Sequence, residues 1–456
     1  MFATSAIEDA SFETNFDPTV ASASYIATGG GPSGLVLDEA SGRLFVLTRF
    51  ANAVEVIDAG TGAVLETHPL PNPEPGSVTD GRPFLYDATL TSGNGEASCA
   101  SCHIFGDLDQ LAWNLGDPDG LVSANTQPSA TVLPPTGTLH PMKGPMTTQT
   151  LRGLATHGAL HWRGDRVDGF FGIDPCNQNP NLTAPCSEDF SFRNFIVAFE
   201  GLVGKHGTIT TTEMQQFSDF VLQVMLPPNP VRALDNSLTS AQQDGADLFG
   251  SFEETLGNNA TASDTVATCE GCHNLDPAVG FFGSGGEQSF EGEPQFFKVA
   301  HMRNLYAKIG MFGQSTGGPH MGDQIRGFGF LHDGSIDTVD HVLEAPVFAL
   351  NNAQEADLEQ YSLAFPTDLA PIVGQQVTLD ATNLATVLPR ITLMETRAGT
   401  AFSSFMLGGA VTECDVVVKG SVGGVRRGWV RAASGSYLDD MNGTINPVPL
   451  RNLAAT

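Results

Sequence analysis

Short apolar runs separated by turn residues dominate the start of the chain. Four such runs, rich in β-branched or aliphatic side chains, occur at 35–37, 44–48, 54–57 and 64–67. Glycine or asparagine lies between them, as at Gly42, Asn52 and Gly60. Short apolar runs bounded by such residues are typical of consecutive β-strands. Residues 1–90 are therefore predicted to be a β-strand segment.

Helical spacing appears further along the chain. Apolar side chains recur every three or four residues from Met214 through Phe217 and Val221 to Met225. This spacing predicts a helix over 211–226, ended by the prolines that begin at Pro227.

The remaining pattern suggests the domain division. A second helix is predicted near 238–249, and the C-terminal ninety residues are richer in valine, threonine and glycine, with the clearest strand at 416–418. We predict two middle domains, 91–235 and 236–365, and a β-rich C-terminal extension, 366–456.

The cysteines indicate what the two middle domains bind. The chain has seven, and four of them form two copies of C-x-x-C-H: Cys99 and Cys102 followed by His103, and Cys269 and Cys272 followed by His273. This pattern is the attachment signature of haem c. The two thiols form thioethers with the haem vinyl groups, and the adjacent histidine becomes the proximal iron ligand. Two copies predict two covalently bound haem c groups, so 91–235 is expected to be the first haem domain and 236–365 the second.

Zinc sites and thioredoxin-type redox motifs also contain C-x-x-C pairs. A zinc site would need the two cysteine pairs to meet as a four-ligand cage. Here each pair is followed at once by histidine, and the pairs lie far apart in sequence. A thioredoxin-type motif would follow a strand in a βαβ unit. The glycines Gly93 and Gly95 before the first pair do not fit that context.

Charge narrows the choice of partners. The chain carries 21 Lys and Arg against 51 Asp and Glu, a formal net charge of −30. Such a chain is repelled by phosphate backbones and anionic lipids, so no nucleic acid is expected as a partner. The sequence has no apolar stretch long enough for a membrane span. A small electron-donor protein with a basic surface would be attracted, although solubility or a salty habitat also explains the charge.

The redox compartment follows from the same cysteines. Haem c is generally attached outside the cytoplasm, which indicates a periplasmic or extracellular protein. Cys176 and Cys186 lie in a polar loop and are expected to form a local disulfide there. Cys414 is then expected to be a buried free thiol. The first residues have neither a basic nor an apolar export segment, so we expect that this chain lacks its true N-terminus.

Several segments resemble the bacterial di-haem cytochrome c peroxidase and MauG superfamily over about residues 82–365. They are R-P-F-L-Y-D at 82–87, G-P-M-T-T-Q-T-L-R-G at 144–153, H-W-R-G-D-R at 161–166, F-K-V-A-H-M-R-N at 297–304 and L-H-D-G-S at 331–335.

Residues 34–58 also resemble one blade of a YVTN-type β-propeller, which would need neighbouring blades or the haem domains to cover it. The expected fold is mainly α, with tandem cytochrome c-like haem domains, a blade-like β-strand segment before them and a β-rich extension after them.

The superfamily resemblance implies roles for individual residues. The haem on His103 would be peroxidatic and the haem on His273 would be the electron-entry centre. Trp162 would lie between the two haems, although a core aromatic is the alternative. Glu200 is the candidate acid–base group beside the peroxide, or else a solvated helix carboxylate. A calcium ion between the domains is a further expectation from the family.

The distal ligands depart from the family pattern. The methionine that usually binds the electron-entry haem has no counterpart at 342–348. Met311 is the nearest candidate ligand, with His301 and Met321 as others, although a lone methionine more often fills a core. His140 would close the first iron and prevent catalysis if it bound there.

Together these features predict a peroxidase-like oxidoreductase that reduces hydrogen peroxide with electrons from a donor protein. A MauG-like di-haem oxidase and a non-enzymatic electron-transfer cytochrome are the alternatives. The spin states of the two ferric irons distinguish an open catalytic site from two closed ones.

Overall fold

We describe the chain from a computed structural model. The structure describes residues 25–115, 119, 121–124, 138–139, 145–158, 160–162, 187–250, 269–273, 288–289, 297–298, 300–315, 322–325, 329–345, 348, 350–404, 406–441 and 443–454.

Among the described residues, helices occur from Gly76 to Ala454. In chain order they are α1 (Gly76–Thr79), α2 (Arg82–Tyr86), α3 (Ala88–Thr91), α4 (Glu188–Arg193), α5 (Ala198–Gly201), α6 (Thr211–Val221), α7 (Ser240–Gly250), α8 (Cys269–Cys272), α9 (Val339–Leu343), α10 (Asn352–Leu363), α11 (Leu384–Arg397) and α12 (Pro447–Ala454). Short 3₁₀ turns are found at Cys99–Ser101, Ile104–Gly106, Leu154–Thr156, Asn194–Val197 and Leu305–Lys308.

The strands form several separate antiparallel sheets. They are β1 (Pro32–Asp38), β2 (Arg43–Thr48), β3 (Ala53–Asp58), β4 (Val64–Pro69), β5 (Ala112–Trp113), β6 (Ser123–Ala124), β7 (Thr138–Leu139), β8 (Met146–Thr147), β9 (Gln288–Ser289), β10 (Phe297–Lys298), β11 (Ile309–Ser315), β12 (Gly322–Ile325), β13 (Ala401–Ser404), β14 (Gly409–Thr412), β15 (Val417–Val422), β16 (Val425–Arg431), β17 (Tyr437–Asp439) and β18 (Thr444–Ile445). Two sheets have four strands, β1–β4 and β15–β18, each in sequence order. The rest are strand pairs.

The chain divides into two compact units. One comprises the described residues of Met1–Ser101 and Ile196–Val221, and the other comprises those of Cys102–Phe195 and Leu222–Thr456. The division falls inside the first C-x-x-C-H motif, after Ser101. Among the described residues, no helix is both long and apolar enough to cross a lipid bilayer.

The first unit contains the predicted four-stranded sheet. All four strands expected from the apolar runs are confirmed, paired antiparallel from β1 to β4. Strand β3 is the most buried and β4 is exposed throughout. A close approach elsewhere in this unit depends on Gly81, where an added Cβ would lie 2.1 Å from the Gln216 carbonyl oxygen of α6. Because only glycine leaves that space, α2 and α6 come close together.

An aromatic cluster joins α2, α5 and α6 in this unit. The Phe217 ring of α6 lies 6.2 Å from Phe84 and 6.3 Å from Phe199, centroid to centroid. The helix predicted over 211–226 is thus confirmed, but it ends at Val221 instead of continuing to the prolines.

The second unit is organised around the packing of α7 on α10. A Cβ at Gly245 would lie 2.0 Å from the Asp357 carbonyl oxygen, so the two helix backbones almost touch there. Phe249, Tyr361 and Phe365 stack edge to face beside this crossing, with centroids 5.0 to 5.6 Å apart. Edge-to-face packing adds to the energy of burying their area.

The C-terminal region has its own core. Ala398, Val416, Trp429, Tyr437 and Leu450 are buried together. The β-rich expectation holds for β13 to β18, but the region also contains α11, a helix of 14 residues that the sequence pattern did not indicate.

Candidate functional site

The second C-x-x-C-H motif is a single helical turn. Cys269–Cys272 form α8, and the His273 amide donates to the Cys269 carbonyl at 2.7 Å. The Cys269 side chain packs against the cluster that contains Phe249 and Phe365. One short turn of this kind presents cysteine and histidine in the order that haem attachment needs.

A backbone carbonyl orients the His273 ring. Its Nδ1 lies 2.8 Å from the Ala300 carbonyl oxygen. A carbonyl only accepts, so Nδ1 carries the proton and Nε2 keeps its lone pair. Burial lowers the pKa of His273, and this effect exceeds that of the hydrogen bond to Ala300, which raises the pKa. The ring is therefore neutral at pH 7, which is the form that binds a metal.

His103, in the first motif, has the same arrangement within the second unit. Its Nδ1 lies 2.8 Å from the Gln149 carbonyl oxygen. Burial lowers the pKa of His103, while the bond to Gln149 and the charges of Asp107 and Asp109 raise it. Both motif histidines thus point a protonated Nδ1 at a main-chain carbonyl and leave Nε2 for a metal.

The thiols required for attachment are in the reduced form. Cys99, Cys102 and Cys269 are free cysteines and partly buried. Burial and the charge of Asp109 raise the pKa of Cys102, which keeps it protonated at neutral pH. The described thiols, Cys99 and Cys102 in the first motif and Cys269 in the second, fit haem c together with the neutral, oriented imidazoles.

The segment 144–153 fixes the first motif from the other side. The Leu151 amide donates to the Gly106 carbonyl at 3.0 Å. Arg152 pairs with Asp107 at 3.0 Å and donates to the Phe105 carbonyl at 3.0 Å. Phe105 has φ +55°, a backbone conformation that is strained for a side chain of this size. These bonds hold the turn that follows His103.

Trp162 contacts both segments that orient the motif histidines. Its indole Nε1 donates to the Thr147 carbonyl at 2.8 Å, two residues before Gln149. The Lys308 ammonium lies over the ring, 5.9 Å from its centroid, at the end of the segment that starts at Ala300. Trp162 therefore touches the segments behind both histidines, and its role between two haems stays a prediction.

The segment containing L-H-D-G-S closes this cluster. The Thr147 amide donates to the His332 carbonyl at 2.7 Å. The His332 ring is buried and lies edge-on to Trp162, 6.4 Å between centroids. The segments 144–153, 161–162, 300–308 and 331–335 therefore meet around Trp162.

A buried ion pair fixes the segment after Ala300. Arg303 and Asp368 are 5% and 3% exposed, and Arg303 Nη2 lies 2.5 Å from Asp368 Oδ1. Arg303 also donates to Thr156 Oγ1 at 3.4 Å, next to His157, whose ring meets that of His301 at 4.5 Å between centroids. Sequence reasoning noted Arg303 only as part of a motif and missed Asp368, which lies far from any motif.

Other predicted residues are placed as follows. Glu200 lies on the short helix α5 of the first unit and is exposed, so its acid–base role stays a prediction. The backbone of Met311 belongs to β11, and its side chain lies outside the described residues. The side chain of Cys272, together with His140, Met321, Cys176 and Cys186, also lies outside the described part of the chain. Cys414 is a free thiol, half-buried against the C-terminal core.

Calcium also stays a prediction. Among the described residues, no group of three or more His, Cys, Asp or Glu side chains is placed to hold a metal ion.

Comparison with known proteins gives two structural neighbours. No protein-family model matches the chain, and no curated protein matches its sequence. A structure of Kuenenia stuttgartiensis hydrazine synthase pressurised with xenon is similar over 67% of this chain and 97% of that one, at 18% identity and a TM-score of 0.38. A MauG-like protein associated with microbial copper homeostasis is similar over 65% and 91%, at 18% identity and a TM-score of 0.31. Both TM-scores are below 0.5, so the functional argument rests on the motifs and their geometry.

Proposed function

We propose that the chain is a di-haem c-type cytochrome oxidoreductase of the peroxidase kind. One observation carries the proposal: the histidines of both C-x-x-C-H motifs, His103 and His273, direct Nδ1 to a backbone carbonyl at 2.8 Å. This bond fixes the tautomer and the ring orientation that a proximal haem ligand needs. When bound, haem supplies iron that exchanges electrons and reacts with peroxide.

In this proposal electrons enter at the His273 haem and reach the His103 haem, where hydrogen peroxide is reduced. Trp162 is the bridge, since it contacts the segments behind both histidines. Covalent haem attachment places the protein in the periplasm or outside the cell. The four-stranded sheet β1–β4 acts as a propeller-type blade, which its consecutive antiparallel pairing supports.

Haem content tests the first step. Denatured wild-type protein should give two haems per chain in a pyridine haemochrome assay, and Cys272→Ala should give one covalent haem fewer. Cys414→Ala is the matched control, because this cysteine lies outside both motifs and should leave the count unchanged. A count that Cys272→Ala does not alter would rule out attachment at the second motif.

The spectra of the two ferric irons separate the peroxidase from its alternatives. An open, cyanide-binding high-spin site supports an enzyme. Two low-spin sites that do not bind cyanide would instead favour the non-enzymatic electron carrier. Oxidation of an added protein or small molecule without peroxide consumption would favour the MauG-like oxidase.

The negative surface is proposed to attract the donor. With a formal net charge of −30, the chain should bind a small basic cytochrome through long-range attraction. The rate of reduction should then fall as salt shortens the Debye length below roughly 10 Å. A flat or rising dependence would mean that the charge serves solubility and that the donor binds an apolar surface.

A further inference from the structure

A cationic side chain lies beside Trp162. Lys308 ends the 3₁₀ turn Leu305–Lys308, and its Nζ lies over the indole, 5.9 Å from the ring centroid. This is within the distance at which a cation and an aromatic face attract each other. Nζ also lies 3.4 Å from the Gly329 carbonyl oxygen, which holds the ammonium in place.

A cation at that position affects one property of the indole directly. One-electron oxidation of Trp162 would leave a positive charge on the ring, and the neighbouring ammonium opposes it. The effect is larger where both groups are shielded from water, and both side chains are partly buried.

The other ring contacts made by the described residues do not offset this charge. Thr147 supplies a neutral carbonyl to Nε1, and His332 lies edge-on at 6.4 Å. No acidic group of the described residues contributes to the pKa of Lys308, which burial alone lowers to about 8. The lysine therefore remains mostly charged at neutral pH.

We propose that Lys308 keeps Trp162 reduced while electrons pass between the haems, so that the bridge is not consumed by peroxide. This rests on the proposed function. Lys308 acts through Trp162 and is a positioning residue for the electron path. The reaction that it suppresses is the net oxygenation of the indole, in which tryptophan and hydrogen peroxide give hydroxytryptophan and water.

The test is peptide mass spectrometry of the haem-loaded protein after a fixed number of peroxide additions. Gain of one oxygen at Trp162 should rise about tenfold in Lys308→Met, as expected for the loss of roughly one favourable cation–π contact. Lys308→Arg keeps the charge and should stay near wild type. Trp113, whose Nε1 donates to Asp109, is the internal reference and should be unaffected.

Two results would overturn the proposal. One is equal oxidation of Trp162 in wild type and Lys308→Met. The other is Lys308→Arg behaving like Lys308→Met, which would indicate loss of lysine packing.

Should Lys308→Met fail to fold, oxidation of Trp162 in the wild type is compared at about pH 6 and about pH 10, either side of the lysine pKa of about 8. Oxidation should be greater at the higher pH. Equal oxidation at both values would count against the proposal.

A second oxidant separates this proposal from the proposed function. A flash-generated ruthenium(III) bipyridyl complex removes one electron from the indole and becomes ruthenium(II), without any haem chemistry. Faster oxidation of Trp162 in Lys308→Met than in Lys308→Arg under this oxidant supports the role of Lys308 even where peroxide is not consumed. Equal rates in these two variants contradict it, even in an active peroxidase. A pH effect of the same size in Lys308→Met comes from another group and also contradicts it.

Discussion

The two C-x-x-C-H motifs share one bond and differ in almost everything around it. The second motif is an α-helical turn whose Cys269 packs on buried aromatic side chains. Among the described residues, only the bond to Ala300 opposes the effect of burial on the pKa of His273. The first motif begins as a 3₁₀ turn, and Asp107 and Asp109 act on His103. The next aromatic residue, Phe105, is 78% exposed.

This difference has a redox consequence. Nearby carboxylates favour the more positive, oxidised state of a metal, and an apolar environment favours the less charged, reduced state. We therefore expect the His103 haem to have the lower reduction potential. Stored electrons would rest on the His273 haem, as expected for an electron-entry centre.

The largest effect should come from breaking the ion pair behind the second motif. Asp368→Asn leaves the Arg303 guanidinium buried without its counter-charge, which should cost about 3 kcal/mol of unfolding free energy. Urea denaturation with both haems bound measures the change. Asp189→Asn is the control, because its partner Arg193 is solvent-accessible and the pair should contribute under about 1 kcal/mol. Equal effects of the two substitutions would contradict the structural role given to Arg303.

The helix crossing under the second motif should be the next most sensitive place. Gly245→Ala places a Cβ against the Asp357 carbonyl and should destabilise the second unit by about 2 kcal/mol. Gly250→Ala, at the end of the same helix, meets its nearest neighbour at an ordinary 3.5 Å and is the matched control. A lower Tm for Gly245→Ala alone is the expected result, and equal Tm values would exclude the close crossing.

Electrostatics at the first motif should be visible without a large change in stability. Asp109→Asn removes a negative charge that acts on His103, so the potential of that haem should rise by roughly 40 mV. Spectroelectrochemical titration resolves the two haems. The His273 haem provides the control within the same sample, since no carboxylate of the described residues shifts the pKa of His273. A rise in both potentials would indicate a general change in the fold.

The smallest effect is expected at the surface of the first motif. Arg152→Met removes the partly exposed pair with Asp107 and the bond to the Phe105 carbonyl. The loss of stability should stay below about 1 kcal/mol and shrink further at high salt. A loss as large as that of Asp368→Asn would mean that the two motifs are held with similar strength.

The sequence predicted best where local pattern decides the structure. The strands β1 to β4 follow from short apolar runs and turn residues, and α6 follows from its apolar spacing. That helix ends early because later groups bond elsewhere. The Val224 carbonyl accepts from Gly153 and the Leu226 amide donates to Asp368. Neither partner could be inferred from helical periodicity.

Helix α11 was not predicted, because its local sequence pattern does not favour a helix. Helix α11 contains Pro389 and several β-branched residues, which have low helix propensity. Its Met394 packs on the core that contains Trp429 and Tyr437, a tertiary contact that helical periodicity does not reveal. The Lys308 contact with Trp162 and the Arg303 pair with Asp368 were likewise out of reach, because each joins segments distant in sequence. The motif histidines were found because covalent attachment requires a fixed local spacing.

The main-chain nature of the two acceptors makes both sites tolerant of mutation. Gln149 and Ala300 hold His103 and His273 through carbonyl oxygens, which every amino acid supplies. A change of side chain at either position therefore leaves the acceptor in place, provided that the local backbone path is kept. Sequences can diverge at 149 and 300 while the two imidazoles retain the same tautomer, so identity at these positions is a poor guide to whether a related chain carries the same sites.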